Sequence, residues 1–145
     1  MGFSNNTGNV EGAGPSAEGA ARFVFNGSAA ATDGRPTKLT TAQRAIHKVP
    51  DFSIDEIYLW ASNYSSANTT LDIYFAEETG EDQTLRVTVQ SREGLVLVLP
   101  GLPLGGGHTI YALAGSNDSV KILGFAHRRY RIDPQDSNSG YDGSS

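Results

Sequence analysis

The sequence predicts an all-β protein, an antiparallel β-sandwich or jelly roll of about seven to eight strands, with an extended N-terminal arm and a short polar C-terminal tail. Three observations predict it. Apolar residues recur with a period of two, segment after segment, between Thr37 and Ile132. Clusters of Gly, Asn, Asp and Ser separate those segments at short, regular spacing. No stretch sustains the 3.6-residue period of an amphipathic helix.

Residues 1–35 read as the arm. Gly, Ala, Ser, Asn and Thr dominate there, and little apolar material is available to offset the entropy of ordering. The exception is the run Phe23, Val24 and Phe25 after Arg22, closed by Asn26 and Gly27. It is β-prone and suited to pairing with a sheet edge, of this subunit or of a neighbour. The sandwich is expected over residues 36–132, and residues 133–145 form the polar tail.

Within the sandwich the first strand spans residues 44–49 and is closed by Pro50 and Asp51. Next, Ile57, Leu59 and Ala61 alternate with Tyr58 and Trp60, and Leu71, Ile73 and Phe75 alternate with Asp72 and Tyr74. Leu85, Val87 and Val89 alternate with Arg86 and Thr88. The segment 94–100 is apolar at every side chain, which implies a strand covered on both sides or one whose outer face meets a partner. Two strands complete the set, over residues 109–114 and from Val120 through Ala126 towards Tyr130.

Composition narrows the function. The formal charge of −5 argues against nucleic acid as a partner, since a general binder carries a basic surface. With no cysteine, neither a disulfide framework nor a thiolate metal site is available. The first twenty residues lack the charged and apolar regions of a secretory signal, and no run approaches a membrane span. A chain made in the cytoplasm, with no membrane partner, is expected.

Catalytic constellations are not visible, so no enzyme, catalytic residue or cofactor is expected. His47, His108 and His127 fall in separate segments without metal-ligand spacing, and no metal site is predicted. The acidic run Glu77, Glu78, Glu81 and Asp82 reads as a solvated hairpin tip or as an ion or basic-partner site, without the ligand pattern of an EF-hand. Gly105, Gly106 and Gly107 precede a strand, whereas a phosphate-cradling loop must precede a helix. No serine sits in a G-x-S-x-G elbow.

Two groups are candidates for contact. Arg128, Arg129 and Arg131 end the last strand and suit either an acidic partner surface or the chain's own carboxylates. Tyr58, Trp60, Tyr74 and Tyr111 are an aromatic set that fits a second core face, a protein anchor or a platform for sugar stacking.

The stretches Ala45-Ile46-His47-Lys48-Val49-Pro50, Ile54 to Asn63 and Thr69 to Phe75 resemble a group of small β-sandwich virion proteins of tailed bacteriophages. So does the P-x-x-L segment Pro100-Gly101-Leu102-Pro103-Leu104 ahead of His108-Thr109-Ile110-Tyr111-Ala112. The likeness runs over residues 44–131 and lies in strand order and style. It implies a virion structural protein without catalytic residues: a capsid decoration (cement) protein, or a neck, tail or fibre attachment. The long arm points to decoration, with the major capsid protein as partner, a homotrimer as the assembly and the capsid surface as the location. A carbohydrate- or receptor-binding module on a tail or fibre is the alternative.

Overall fold

The computed structural model describes residues 20–75 and 83–130 of the chain. Nine strands, β1 (Ala20–Val24), β2 (Thr37–Lys38), β3 (Arg44–Lys48), β4 (Ser53–Asn63), β5 (Thr69–Tyr74), β6 (Thr84–Val89), β7 (Val96–Gly105), β8 (Thr109–Ala114) and β9 (Val120–Tyr130), make two sheets. One has the order β1-β9-β4-β7, with the two-residue β2 beside β1 on the same edge of β9, and the other has the order β3-β8-β5-β6. Every pairing is antiparallel. Apart from the β5–β6 hairpin and the step from β1 to β2, each connection passes from one sheet to the other. That is a jelly-roll sandwich.

Period-two alternation builds the core. On β4 the alternate residues Ile57, Leu59 and Ala61 are buried, and Ile122 and Ala126 of β9 lie beside them. Leu71, Ile73, Ile110, Ala112 and Ala114 of the second sheet face them across the slab. A sheet packed on another at about 10 Å has room for one interdigitated layer of such side chains.

The structure corrects the expected organisation at three points. Phe25 and Ala29 are core residues and β1 pairs along β9 of its own chain, so the sandwich includes residues 20–35 as well. Apolar content alone hid this, because the segment contributes only two fully buried side chains, Phe25 and Ala29, and joins the sandwich largely through backbone pairing. Residues 1–19, the acidic run and residues 131–145, including Arg131, lie outside the described residues.

Secondly, β7 does not stop at Pro100 but runs to Gly105. It is the edge strand of its sheet, where a proline removes no needed donor. Thirdly, β7 does not alternate simply. Its register against β4 slips at Val98 and at Gly101, so that Leu97 pairs with Trp60, Leu99 with Leu59 and Pro100 with Tyr58. The bulges send Leu97 outward and Leu99 inward, although they are two residues apart. Leu99 is 3% exposed and Leu97 is 46% exposed. The run that read as apolar on both faces is therefore open on one.

Candidate interaction surface

Alternation gives β4 and β9 two chemically different faces, and both bear on function. Inward, at one end of the slab, Asp55 of β4 accepts hydrogen bonds from Arg128 of β9 (Nε to Oδ1, 2.8 Å; Nη2 to Oδ2, 3.0 Å). Its Oδ2 also lies 2.6 Å from Nε2 of His47, which comes from β3 in the other sheet. An ionised carboxylate only accepts, so Nε2 carries the proton. A β-bulge at Ile46 turns both Ile46 and His47 into the interior. His47 and Asp55 are fully buried, and Nδ1 of His47 finds no partner among the described residues. Burial pushes the Asp55 carboxyl up, but the hydrogen bonds from His47 and Arg128 outweigh it and hold the group below its ordinary value.

This cluster ties the sheets together and closes off Arg128. The Arg128 guanidinium lies 4.1 Å from the centre of the Phe23 ring and is nearly enclosed, so Arg128 does not serve a partner by charge. Phe25 packs against the His47 ring at 5.6 Å. Phe25 is thus buried and Phe23 half-buried, and β1 pairs with β9 of the same chain, the own-subunit form of the strand pairing expected for this run. The sequence shows that Arg128 and Arg129 point to opposite faces. Which face is the interior depends on Asp55, which no spacing links to them.

Outward, the same strands carry a second set. Val24, Phe125, Tyr58 and Pro100 are register neighbours across β1, β9, β4 and β7, and Leu123, Trp60 and Leu97 form a parallel row beside them. Tyr58 and Phe125 have ring centres 4.8 Å apart at an interplanar angle of 16°. That separation is too short for two rings lying side by side in one plane, so they overlap face to face. The guanidinium of Arg22 lies 5.5 Å from the centre of the Phe125 ring, and a side chain at Gly101 would come within 2.9 Å of the Tyr58 ring. Trp60 is tilted by 30° against Phe125 at 6.1 Å. The rings therefore stiffen the sheet as a cross-strand ladder.

Basic groups border this apolar field. Arg22 and Arg129 stand exposed at one end and Lys121, over the Tyr64 ring at 4.7 Å, at the other. His127 Nδ1 lies 3.1 Å from Oε1 of Glu56, and Arg129 Nε lies 3.8 Å from its Oε2. The other two aromatic candidates belong elsewhere. Tyr74 and Tyr111 are register partners on the outer side of the four-stranded sheet, so the four do not make one surface, nor a second core face. There Tyr74 donates to Asp72 (3.3 Å), which also receives two 2.8 Å bonds from Arg86. The Arg86 bonds hold the Asp72 carboxyl below its ordinary value against the effect of burial.

His108 stands at the β7–β8 turn, where its carbonyl accepts from the Val49 N–H at 2.9 Å, and no metal-binding group of three or more side chains occurs among the described residues. The glycine run makes the turn into β8, with Gly107 donating to the Val49 carbonyl at 2.8 Å. One feature without a sequence signal is Phe52, which is 70% exposed with φ of 62° in the β3–β4 turn. That left-handed conformation is unusual for a bulky side chain.

Fold and surface together define an antiparallel jelly-roll sandwich with one stiff, apolar, cation-bordered face. No family model and no curated protein matches the sequence. Among solved structures, the chain is similar to the structure of Eiger TNF from S. frugiperda, at 15% identity over 82% of this chain and 89% of that one, with a TM-score of 0.32. At that score the likeness adds nothing to the fold already described.

Proposed function

We propose that this chain is a structural assembly protein that binds and does not catalyse: a capsid decoration protein of a tailed bacteriophage that bridges major capsid proteins on the assembled head. One observation carries the assembly reading, the contiguous outward field of Tyr58, Trp60, Phe125, Leu97 and Val24. Scattered surface apolar residues are ordinary, but two adjoining rows across four strands are the kind of surface that proteins cover with one another. The placement on a phage head rests on the resemblance over residues 44–131. Binding only the assembled shell would stabilise it by mass action.

The alternative, a sugar-binding module on a tail or fibre, needs open ring faces. The overlap of Tyr58 with Phe125 and the cover of Arg22 over Phe125 leave it with less support. The test is occupancy of purified heads that lack the protein, measured beside a glycan array. Saturable binding to heads, weakened by removal of residues 1–19, is expected. Glycan binding without head binding would replace this reading by the alternative.

A further inference from the structure

We infer that the free edge of β6 is a strand-addition site, which takes an extended segment of another protein with apolar residues at alternate positions. The site lies in the four-stranded sheet, away from the aromatic field, and does not depend on the phage-head reading.

Main-chain groups set the site. The Phe75 N–H donates to the Gln83 carbonyl at 3.0 Å, so residues 75 and 83 form a hydrogen-bonded pair. Along an antiparallel ladder such pairs alternate with pairs that exchange no bonds. In the β5–β6 register, Ile73 with Leu85 and Leu71 with Val87 therefore bond, whereas Asp72 with Arg86 and Thr70 with Thr88 do not. The other side of β5 agrees, since the Thr70 carbonyl is turned away from β6 and accepts from Gly115 at 2.8 Å. The N–H and C=O groups of Arg86 and Thr88 thus point away from β5. β6 is the last strand of its sheet, with no strand beyond it among the described residues. Such a row of donors and acceptors is the complement of an extended backbone laid alongside at about 4.8 Å.

The other sheet edges are guarded. β7 carries Pro100, Pro103 and two register slips. Residues 26–29 cover β3: Gly27 and Ala29 donate to the Ile46 and Ala45 carbonyls at 2.7 Å, and the Asn26 side chain bonds both backbone groups of Lys48. Beside β9 the edge is divided between two short strands, β1 and β2. Such devices keep sheets from pairing edge to edge. β6 has none of them. From Thr84 to Val89 its register is unbroken, with neither proline nor glycine. Its one charge, Arg86, is drawn back across β5 by two 2.8 Å bonds to Asp72.

Side chains specify the occupant further. Leu85 and Val87 pair with the buried Ile73 and Leu71, on the inward side of the sheet. Yet Leu85 is 46% exposed and Val87 only half-buried, with no strand flanking them among the described residues. Alternate side chains of an added strand continue that inward face and cover both. A segment with period-two apolar residues fits, and an all-polar one leaves Leu85 open.

The experiment is selection of a displayed library of random peptides, about ten residues long, on the full chain. The tightest binder is then the probe for amide exchange by NMR, beside sedimentation velocity of the chain alone. Binders are expected to alternate apolar and polar residues, and to slow exchange at the Arg86 and Thr88 amides by about tenfold or more. Thr88→Pro removes an outward N–H, a change that edge strands tolerate, and should weaken binding by about tenfold or more. Leu85→Lys puts a charge on the inward side of the edge and should weaken it as well. Each variant must keep the parent's circular dichroism; should Thr88→Pro fail to fold, Leu85→Lys decides.

A library that yields no binder, or binders indifferent to these variants, overturns the inference. So do Arg86 and Thr88 amides already protected in the free monomeric chain, since a segment of the chain itself then fills the edge. Self-association abolished by Thr88→Pro or Leu85→Lys overturns it too, because the occupant is then a second copy.

Discussion

Asp55 shows how a single side chain carries an inter-sheet joint. It is wholly buried, and both hydrogen-bonding partners reach it from other strands, His47 from β3 and Arg128 from β9. Removing one member of such a group leaves the others desolvated and uncompensated. Asp55→Asn is therefore expected to destabilise the fold by about 3–5 kcal/mol in urea titration. By contrast, Asp118→Asn breaks the exposed, solvent-screened pair with Lys38 and should leave the urea midpoint nearly unchanged. The pH dependence has a definite sign. The folded carboxyl lies below its ordinary value of 3.8, so its stabilisation is present above that value and fades as the pH falls through the folded one. The parent melting temperature should drop in acid below about pH 4, and Asp55→Asn should lower that acid slope.

Strand pairs here approach closely enough that particular glycines decide whether they meet. Gly124 of β9 pairs with Leu59 of β4, and a Cβ there would overlap the Tyr58 carbonyl oxygen and come within 2.8 Å of the Phe25 ring. Gly124→Ala must push β9 off β4 or displace Phe25, and a loss of about 1–3 kcal/mol is expected by chemical denaturation. Gly105→Ala, at the end of β7, meets nothing within 4 Å and should leave stability nearly unchanged. Gly27 plays the same part as Gly124 for the β3 bulge, since a Cβ on it would strike the Ala45 carbonyl oxygen while its N–H bonds Ile46 at 2.7 Å. The bulge that turns His47 inward is thus braced from the segment that read as arm.

At the level of the molecule, the limit of the folded unit is itself testable. A chain beginning at Ala20 retains β1, Phe25 and Ala29, and its circular dichroism and melting temperature should match the full chain. A chain beginning at residue 31 loses the β1 pairing along β9 and two core side chains. Loss of Phe25 alone is a truncation of about 3–5 kcal/mol, so this shorter chain is expected to melt far earlier or not to fold. Equal stability of the two truncations would move the boundary back to the arm reading.

The sequence by itself determined the β class, the positions of β3, β5, β6 and β8 to within a residue or two and, on β4, which side chains go inward. Ile57, Leu59 and Ala61 against Tyr58 and Trp60 is local information, since backbone pleating alone sends neighbours to opposite faces. It did not determine the role of residues 20–35, the split of the aromatic set between two sheets, or the opposite fates of Leu97 and Leu99. Nor did it reveal that Arg128 belongs to Asp55 and His47. Those outcomes come from register slips and from contacts between residues far apart in the chain, as Asp55 and Arg128 are, 73 positions from one another. Only tertiary structure decides them, because a bulge reverses a strand's faces without leaving a periodic trace and a buried ion pair forms wherever the chain brings its members together.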